Sequence, residues 1–338
     1  MKYGQILIGI VLCILLEFGV YNLNHKYHFF PPIFQTTLPI TSSAYEKHEG
    51  GGNLTNPLLE CVGVSDDQSL GQLDISDPEL TAFTASIQKK YNLPMMSVYV
   101  RDLNNGPWIG VNQGENFIGG SLLKVPMLIS YYKLADNDPS ILNKVIEYKT
   151  QAVDNTQYYS PSQQIEVGKK YTVEELLKYM TYYSDNNAAY LLSQNIDPKE
   201  FDKVFQALGL GDPDINKPYP VDTKTYAGFF RILFNASYLS KSSSEKVLDL
   251  LSHTEFNRGL QGLIPKSIVV SHKFGIRTDG NVNQLHDCGI VYYPGHPYLL
   301  CIMSRGGTFD NMASSIAEVS KFVYDKVSAT FPIFKSKQ

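Results

Sequence analysis

The 338-residue sequence lacks the patterns by which several large classes of protein are recognised. It has no run rich in lysine and arginine, and its formal net charge is -4, so it does not indicate a nucleic-acid-binding protein. None of its four cysteines forms a C-x-x-C pair, and none of its seven histidines belongs to an H-x-x-x-H pattern. These absences argue against a zinc site and a thioredoxin-type centre, and we expect neither a metal nor a cofactor.

A full-length apolar run is also missing at the N-terminus, where a membrane-spanning helix would need about 20 apolar residues. The apolar run there extends from Ile6 to Leu16, and Glu17 interrupts it. Such a run fits a signal peptide or a tilted signal anchor. Because no small-x-small cleavage signal follows, we expect residues 1–24 to be an uncleaved anchor in the cytoplasmic membrane, with the rest of the chain outside the cytoplasm.

Residues 25–75 are predicted to be an extracytoplasmic linker, because Pro31-Pro32, three consecutive glycines at 50–52 and scattered polar residues cannot supply a core. The more apolar patch at 57–62 is the part that we expect to dock onto the following domain. Among the cysteines, Cys288 and Cys301 flank a predicted hairpin turn, so a cross-strand bridge is open to them. The sequence does not fix the strand register, and we expect two reduced or buried thiols.

Residues 76–338 have the texture of one folded domain. The sequence predicts a helix from Asp77 to Tyr91, followed by a hairpin at 96–111. Several helices are predicted between 121 and 252. Three strands, at 267–276, 285–293 and 298–304, precede a final helix at 312–327. We therefore predict an α+β fold, whose antiparallel sheet is formed by the N- and C-terminal segments and whose middle is an inserted all-helical block.

The first motif with chemical potential is SLLK at residues 121–124, after two glycines and at a predicted helix start. A serine hydroxyl is a poor nucleophile until another group removes its proton. A lysine three positions later lies on the same helix face, so Lys124 is placed to activate Ser121. By itself S-x-x-K is a weak signal, because a capping serine followed by a surface lysine looks the same.

Two further polar motifs follow. Residues 184–186 read SDN between two predicted helices, and residues 272–275 read HKFG at the end of a predicted strand. Each has a simple structural explanation, as a helix cap or as an exposed strand lysine. Taken together and in this order, the three motifs resemble the S-x-x-K, S-D-N and K-T-G set of class A β-lactamases and penicillin-binding proteins. The resemblance covers about residues 76–338.

The resemblance implies a β-lactamase/transpeptidase-like fold and a role for each matching residue. Ser121 matches the nucleophile, Lys124 its activating partner and Ser184 the serine that relays a proton. Lys273 matches the lysine that supports this relay and attracts the substrate carboxylate.

Substrate binding is implied in the same way for four further positions. Asn186 matches the residue that binds the substrate amide, and Gly275 allows the substrate backbone to approach closely. The backbone N–H groups of Ser121 and Ile276 match an oxyanion hole, whose donors typically contribute about 2.7–4 kcal/mol each. Asn216 matches an asparagine that shares the hydrolytic water with a base.

That base is one of two departures from the family pattern. The segment DPDIN at 212–216 resembles E-P-x-L-N, which places Asp212, one methylene shorter than glutamate, at the position of the deacylating base. The alternative is that Asp212 only begins a turn after Gly211. The second departure is Phe274, which stands where the family has a threonine or serine hydroxyl that helps to bind the substrate carboxylate. Arg277 and His286 are the candidate replacements, and the alternative is that each is only a solvated surface group.

Three functions remain open at this point. We expect a class A β-lactamase-like hydrolase that forms an acyl-enzyme on Ser121 and cleaves a β-lactam amide. The alternatives are a penicillin-binding D,D-peptidase or transpeptidase acting on cell-wall peptides, and a catalytically silent anchored binding domain. The expected partners are a small β-lactam or a cell-wall peptide, and the membrane through the N-terminal segment.

Overall fold

The computed structural model describes residues 45–62, 75–104, 106–152, 159–211 and 219–332, which contain eleven strands and eight α-helices. The strands are β1 (Tyr45–His48), β2 (Leu58–Val62), β3 (Met95–Asp102), β4 (Trp108–Val111), β5 (Phe117–Ile118), β6 (Val145–Glu147), β7 (Lys170–Thr172), β8 (Pro220–Val221), β9 (Val270–Asp279), β10 (Val282–Val291) and β11 (Tyr298–Arg305). The helices are α1 (Asp77–Tyr91), α2 (Lys124–Asn137), α3 (Val173–Tyr182), α4 (Asn186–Ser193), α5 (Pro198–Ala207), α6 (Thr223–Phe234), α7 (Lys241–Ser252) and α8 (Phe309–Thr330). Two 3-10 helices span Gly120–Leu123 and Pro139–Asn143.

The central sheet confirms the predicted α+β fold. Its order is β4-β3-β11-β10-β9, and every pair is antiparallel. Strands β3 and β4 come from the beginning of the domain, and β9 to β11 come from its end. Helices α2 to α7 lie between them in sequence, as predicted for an inserted helical block. Strand β9 is left at one edge of the sheet.

Helix boundaries follow local capping. The Ser76 side chain accepts a hydrogen bond from the Glu79 backbone, and α1 begins at Asp77 as predicted. Helix α3 starts with a capping box between Thr172 and Glu175. Helix α8 is three residues longer at each end than the predicted range. Its N-terminus is capped by the Thr308 side chain, which accepts a hydrogen bond from the backbone N–H of Asn311.

The sheet separates two apolar cores, and β3 alternates between them. Met96, Val98 and Val100 are buried in the cluster that includes residues of α1 and α8. Tyr99 belongs to the other cluster, which includes residues of the helical block. This alternation is the period-two pattern of a strand buried on both faces.

The expectation of two reduced thiols at Cys288 and Cys301 is wrong. The two residues are direct cross-strand partners in β10 and β11, and their Sγ atoms form a disulfide. Both cysteines are fully buried. The sequence left the strand register open, and this register brings the two Cα atoms within 3.9 Å of each other.

Residues 45–62, inside the range predicted as a linker, form a hairpin of β1 and β2 that contacts the domain. The carboxylate of Glu46, 2% exposed, accepts hydrogen bonds from Arg101 at 2.7 Å and Arg231 at 2.5 Å. The Glu245 carboxylate accepts hydrogen bonds from the backbone N–H groups of Leu54 and Thr55 at 2.8 and 3.1 Å. These hydrogen bonds bind the hairpin to the domain, together with the packing of Leu54 against the core cluster of the helical block and an edge-on contact between the His48 and Phe234 rings.

The predicted anchor at 1–24 lies outside the described residues. Within the parts of the chain that the structure describes, no helix is both long and apolar enough to cross a membrane.

Candidate active site

Ser121 lies in a 3-10 helix, Gly120–Leu123, and α2 follows it directly. The sequence predicted that an α-helix starts here. The structure instead has a tighter 3-10 turn, and the α-helix begins at Lys124. Gly120 has a positive φ of 54°, and a Cβ on it would lie 2.5 Å from the carbonyl oxygen of Ile276. A Cβ on Gly275 would lie 2.5 Å from the carbonyl oxygen of Gly119. The turn at residues 119–123, the Ser121 turn, therefore packs backbone to backbone against the edge strand β9.

Lys124 is buried in the first turn of α2 and holds the next motif in place. Its ammonium donates hydrogen bonds to Ser184 O at 2.5 Å, Ser184 Oγ at 3.1 Å and Asn186 Oδ1 at 2.7 Å. Within the described part of the chain, none of its hydrogen bonds reaches Ser121 Oγ. Burial lowers the pKa of Lys124 to about 7, against the opposing charge of Asp185. A neutral amine, which can accept a proton, is therefore accessible near neutral pH.

The three side chains of the SDN motif make different contacts. Asp185 is the helix cap, since its Oδ1 accepts hydrogen bonds from the backbone of Asn187 and Ala188. Its Oδ2 accepts another from Ile165 N. Ser184 has a positive φ of 54°, which costs a non-glycine residue free energy. Asp185 thus provides the cap expected of such a triplet, and it leaves Ser184 and Asn186 to face Lys124.

Lys273 approaches the same hydroxyl from β9. Its ammonium donates hydrogen bonds to Ser184 Oγ and to Phe274 O, both at 2.9 Å. The side chain is fully buried, and burial together with the charge of Lys124 holds its pKa well below its usual range, against the attraction of Asp287. Ser184 Oγ therefore joins two amines that cannot both be cationic at low cost.

His286 and Arg277, the two candidate replacements for the missing hydroxyl, differ in their exposure to solvent. His286 is fully buried, one ring nitrogen lies 3.1 Å from Ile118 O, and burial lowers its pKa to about 4. It is uncharged near neutral pH and is not exposed to a substrate, so the suggestion of His286 as a carboxylate partner is wrong. Arg277 is exposed and follows Ile276 on β9.

These residues surround one cavity. Four of the predicted site residues line it, while Lys124 and Lys273 stand behind it through Ser184. The sequence analysis missed three of its walls, Tyr159, Pro161 and Tyr183; only Tyr183, adjacent to the SDN motif, carried a positional signal. The described lining residues are Ser121, Tyr159, Pro161, Tyr183, Ser184, Asn186, Phe274 and Ile276.

Asp212 and Asn216, the predicted deacylation residues, lie outside the described residues. Their roles stay predictions. In the part of the chain that is described, no group of three or more histidine, cysteine or carboxylate side chains is arranged to hold a metal ion.

Comparison with known proteins adds a family to this geometry. A family model described as the beta-lactamase enzyme family matches residues 79–327. A beta-lactamase from Bacteroides uniformis is 24% identical over 247 residues, which cover 66% of this chain and 83% of that protein. The extended-spectrum beta-lactamase PER-1 of Pseudomonas aeruginosa is also 24% identical, over 66% of this chain and 80% of its own.

Solved structures of the same fold include a beta-lactamase from Xanthomonas campestris and a protein titled PBP-A. The first superposes with a TM-score of 0.63 at 23% identity and covers 74% of this chain and 98% of its own. The second has a TM-score of 0.60 at 22% identity, over 74% and 97%. At these identities the likeness establishes the fold alone.

Proposed function

The chain belongs to the β-lactamase enzyme family, and we propose that it is a class A type serine hydrolase that is acylated on Ser121 and hydrolyses a β-lactam amide. The observation that carries this proposal is the meeting of two buried lysines at Ser184 Oγ, beside the cavity that Ser121 lines. A purely structural arrangement gains little from burying two amines around one hydroxyl.

Acylation begins when neutral Lys124 accepts the proton of Ser121, for which its amine must turn from its present partners towards Ser121 Oγ. As the proton leaves, Ser121 Oγ bonds to the amide carbon, and the backbone N–H groups of Ser121 and Ile276 stabilise the oxyanion. The carbon–nitrogen bond then breaks. Ser184 gives its proton to the departing nitrogen and regains one from Lys124, so the nitrogen gains one proton and Lys124 is neutral again.

Hydrolysis of the acyl-enzyme needs a base for water. We assign this step to Asp212, with Asn216 as the second partner of the water, on the sequence pattern at 212–216. The water adds to the ester carbon as one of its protons passes to Asp212, and the bond between this carbon and Ser121 Oγ then breaks. The proton is returned to Ser121 Oγ, which leaves as the alcohol, and Asp212 is again a carboxylate.

The test combines two reagents. The full chain and a Ser121→Ala variant are each incubated with a chromogenic cephalosporin and, separately, with a labelled penicillin. Turnover that is lost in the variant supports the proposal, whereas stable labelling without turnover supports a D,D-peptidase. If neither substrate reacts with Ser121, the proposal fails. An Asp212→Asn variant should accumulate labelled acyl-enzyme, and unchanged turnover would rule out Asp212 as the base.

The proposal includes a place of action outside the cytoplasm, with the chain held at the membrane by residues 1–24. The buried Cys288–Cys301 disulfide supports it, since such bonds persist mainly in oxidising compartments. Fractionation of producing cells tests the location. Recovery of the full chain in the cytosol would contradict it.

A further inference from the structure

Phe274 forms one wall of the cavity at the position where a hydroxyl was expected, and its ring is fixed by other rings. It stacks on Phe256 with centroids 4.3 Å apart and an interplanar angle of 27°. Tyr159 meets both rings edge-on, at 5.1 Å from Phe274 and 5.7 Å from Phe256. Three aromatic rings in mutual contact give this wall little freedom to open.

The same ring covers the buried amine of Lys273. The Lys273 ammonium lies 3.9 Å from the centroid of the Phe274 ring, and Lys273 has no exposed surface. Its hydrogen bonds go to Ser184 Oγ and to the carbonyl of Phe274, two residues of the cavity lining, and Lys273 itself is not among the described lining residues. A carboxylate in the cavity would therefore meet the aromatic side chain of Phe274, and the fully buried amine of Lys273 would not be exposed to it.

Hydrogen bonds between Glu255 and Ser162, the Glu255 clamp, hold the chain segments next to this wall together. The Glu255 carboxylate accepts hydrogen bonds from Ser162 N at 3.0 Å and Ser162 Oγ at 2.5 Å. The Glu255 backbone N–H donates to Tyr182 O at 3.0 Å. This clamp ties the segment that carries Tyr159 and Pro161 to the chain just before Phe256.

None of the described residues that line the cavity is cationic. Arg277 is exposed on β9 and does not belong to that lining. Leaving a carboxylate beside an apolar ring without a partner costs free energy of desolvation, whereas an ester or amide group loses little there. The charge balance of the described cavity thus favours uncharged substrates.

Resting on the proposed acylation of Ser121, we infer that the wall of Phe274, Tyr159 and Phe256 selects substrates whose group beside the scissile carbonyl–nitrogen bond is uncharged and apolar. The substrate class is a neutral, ester- or amide-bearing acyl donor, and the free acid of a β-lactam is the poorer substrate.

The experiment uses one chromogenic cephalosporin as its free acid and as its methyl ester, so that only the carboxylate differs. For the full chain, kcat/KM for the ester should exceed that for the acid by about tenfold or more, the scale of one charge-assisted hydrogen bond. Phe274→Thr supplies a hydroxyl and uncovers Lys273, so it should shift the ratio towards the acid by a similar factor. Phe274→Leu, which stays apolar, is the matched control and should keep the ester preference.

The outcomes separate this inference from the proposed function. If the acid is the better substrate of the unaltered chain, or if Arg277→Gln lowers acid turnover selectively, the inference is overturned while acylation of Ser121 stands. A neutral fluorophosphonate probe reports independently on Ser121. If neither this probe nor either cephalosporin form modifies Ser121, the proposed function fails and the inference fails with it. The comparison in the unaltered chain needs no variant, so a misfolded Phe274→Thr protein does not remove the test.

Discussion

At the scale of single residues, Lys124 links burial to reactivity. Only its neutral form accepts a proton from Ser121, and burial brings its pKa to about 7. We therefore expect the rate of Ser121 acylation by a labelled penicillin to rise with pH, by about tenfold per unit below pH 7, and then to level off. A stopped-time labelling series across pH measures it.

The control for this pH profile is Lys90→Met, which replaces an exposed lysine paired with Glu318. This variant should keep the inflection near pH 7, whereas Lys124→Met should abolish acylation. An inflection near the usual lysine pKa in the unaltered chain would contradict a base whose pKa is lowered by burial.

The hydroxyl and the backbone conformation of Ser184 have separate effects, which substitution can distinguish. Its hydroxyl joins both lysines, and its backbone has a positive φ. Ser184→Ala and Ser184→Gly both remove the hydroxyl, and both should lower the acylation rate by about 10²–10⁴-fold, the usual contribution of a positioned proton donor.

Their stabilities should differ. Glycine accepts the left-handed backbone freely, so Ser184→Gly should have a free energy of unfolding about 1 kcal/mol above that of Ser184→Ala. Urea unfolding measures this difference. Equal acylation rates for Ser184→Ala and the unaltered chain would exclude a relay through this hydroxyl.

At the scale of elements, the contact between the Ser121 turn and β9 controls the geometry of the site. A Cβ on Gly275 would lie 2.5 Å from Gly119 O and 3.1 Å from Leu122 N, so Gly275→Ala must push the strand away from the turn. We expect about a 10²-fold loss of kcat/KM from misplacement of the oxyanion donors. Gly114→Ala is the matched control, because a Cβ there meets nothing within 4 Å. Equal kinetics in the two variants would contradict this view of the turn.

The N-terminal hairpin depends on one buried carboxylate. Glu46→Gln would leave Arg101 and Arg231 without their counter-charge, and breaking a buried ion pair costs about 3–5 kcal/mol. Because the Arg231 side chain is 38% exposed, we expect a loss at or below the lower end of that range. Glu49→Gln, on the exposed end of the same hairpin, is the control. Urea midpoints that coincide for the two variants would show that Glu46 does not hold the hairpin.

At the scale of the whole molecule, the disulfide joins β10 and β11 in the middle of the sheet. Closing a loop of this size stabilises a protein by about 2–4 kcal/mol. A reductant should therefore lower the urea midpoint of the unaltered chain, and it should leave a Cys288→Ser, Cys301→Ser double variant unchanged. The same midpoint with and without reductant would contradict the predicted contribution of the bridge.

Much of this architecture was predictable because its signals are local. Strand alternation, the helix start at Asp77, and the ordered motifs at 121, 184 and 273 all lie within short windows of sequence. The disulfide was missed because it depends on register between strands. The hairpin contacts of Glu46 and the cavity wall of Tyr159 depend on pairing across long stretches of chain, which no local window contains.

The sheet order has a consequence for the synthesis of this chain. Strands β9 and β10 pair with each other, but they reach β3 only through β11, so this pair cannot join β3 until residues 298–305 have been added. The Ser121 turn is synthesised early, but β9, the strand against which it packs, is joined to β3 only near the end of translation. A ribosome-bound nascent chain therefore carries Ser121 long before it has a working site, and any incomplete chain that ends before β11 is inert.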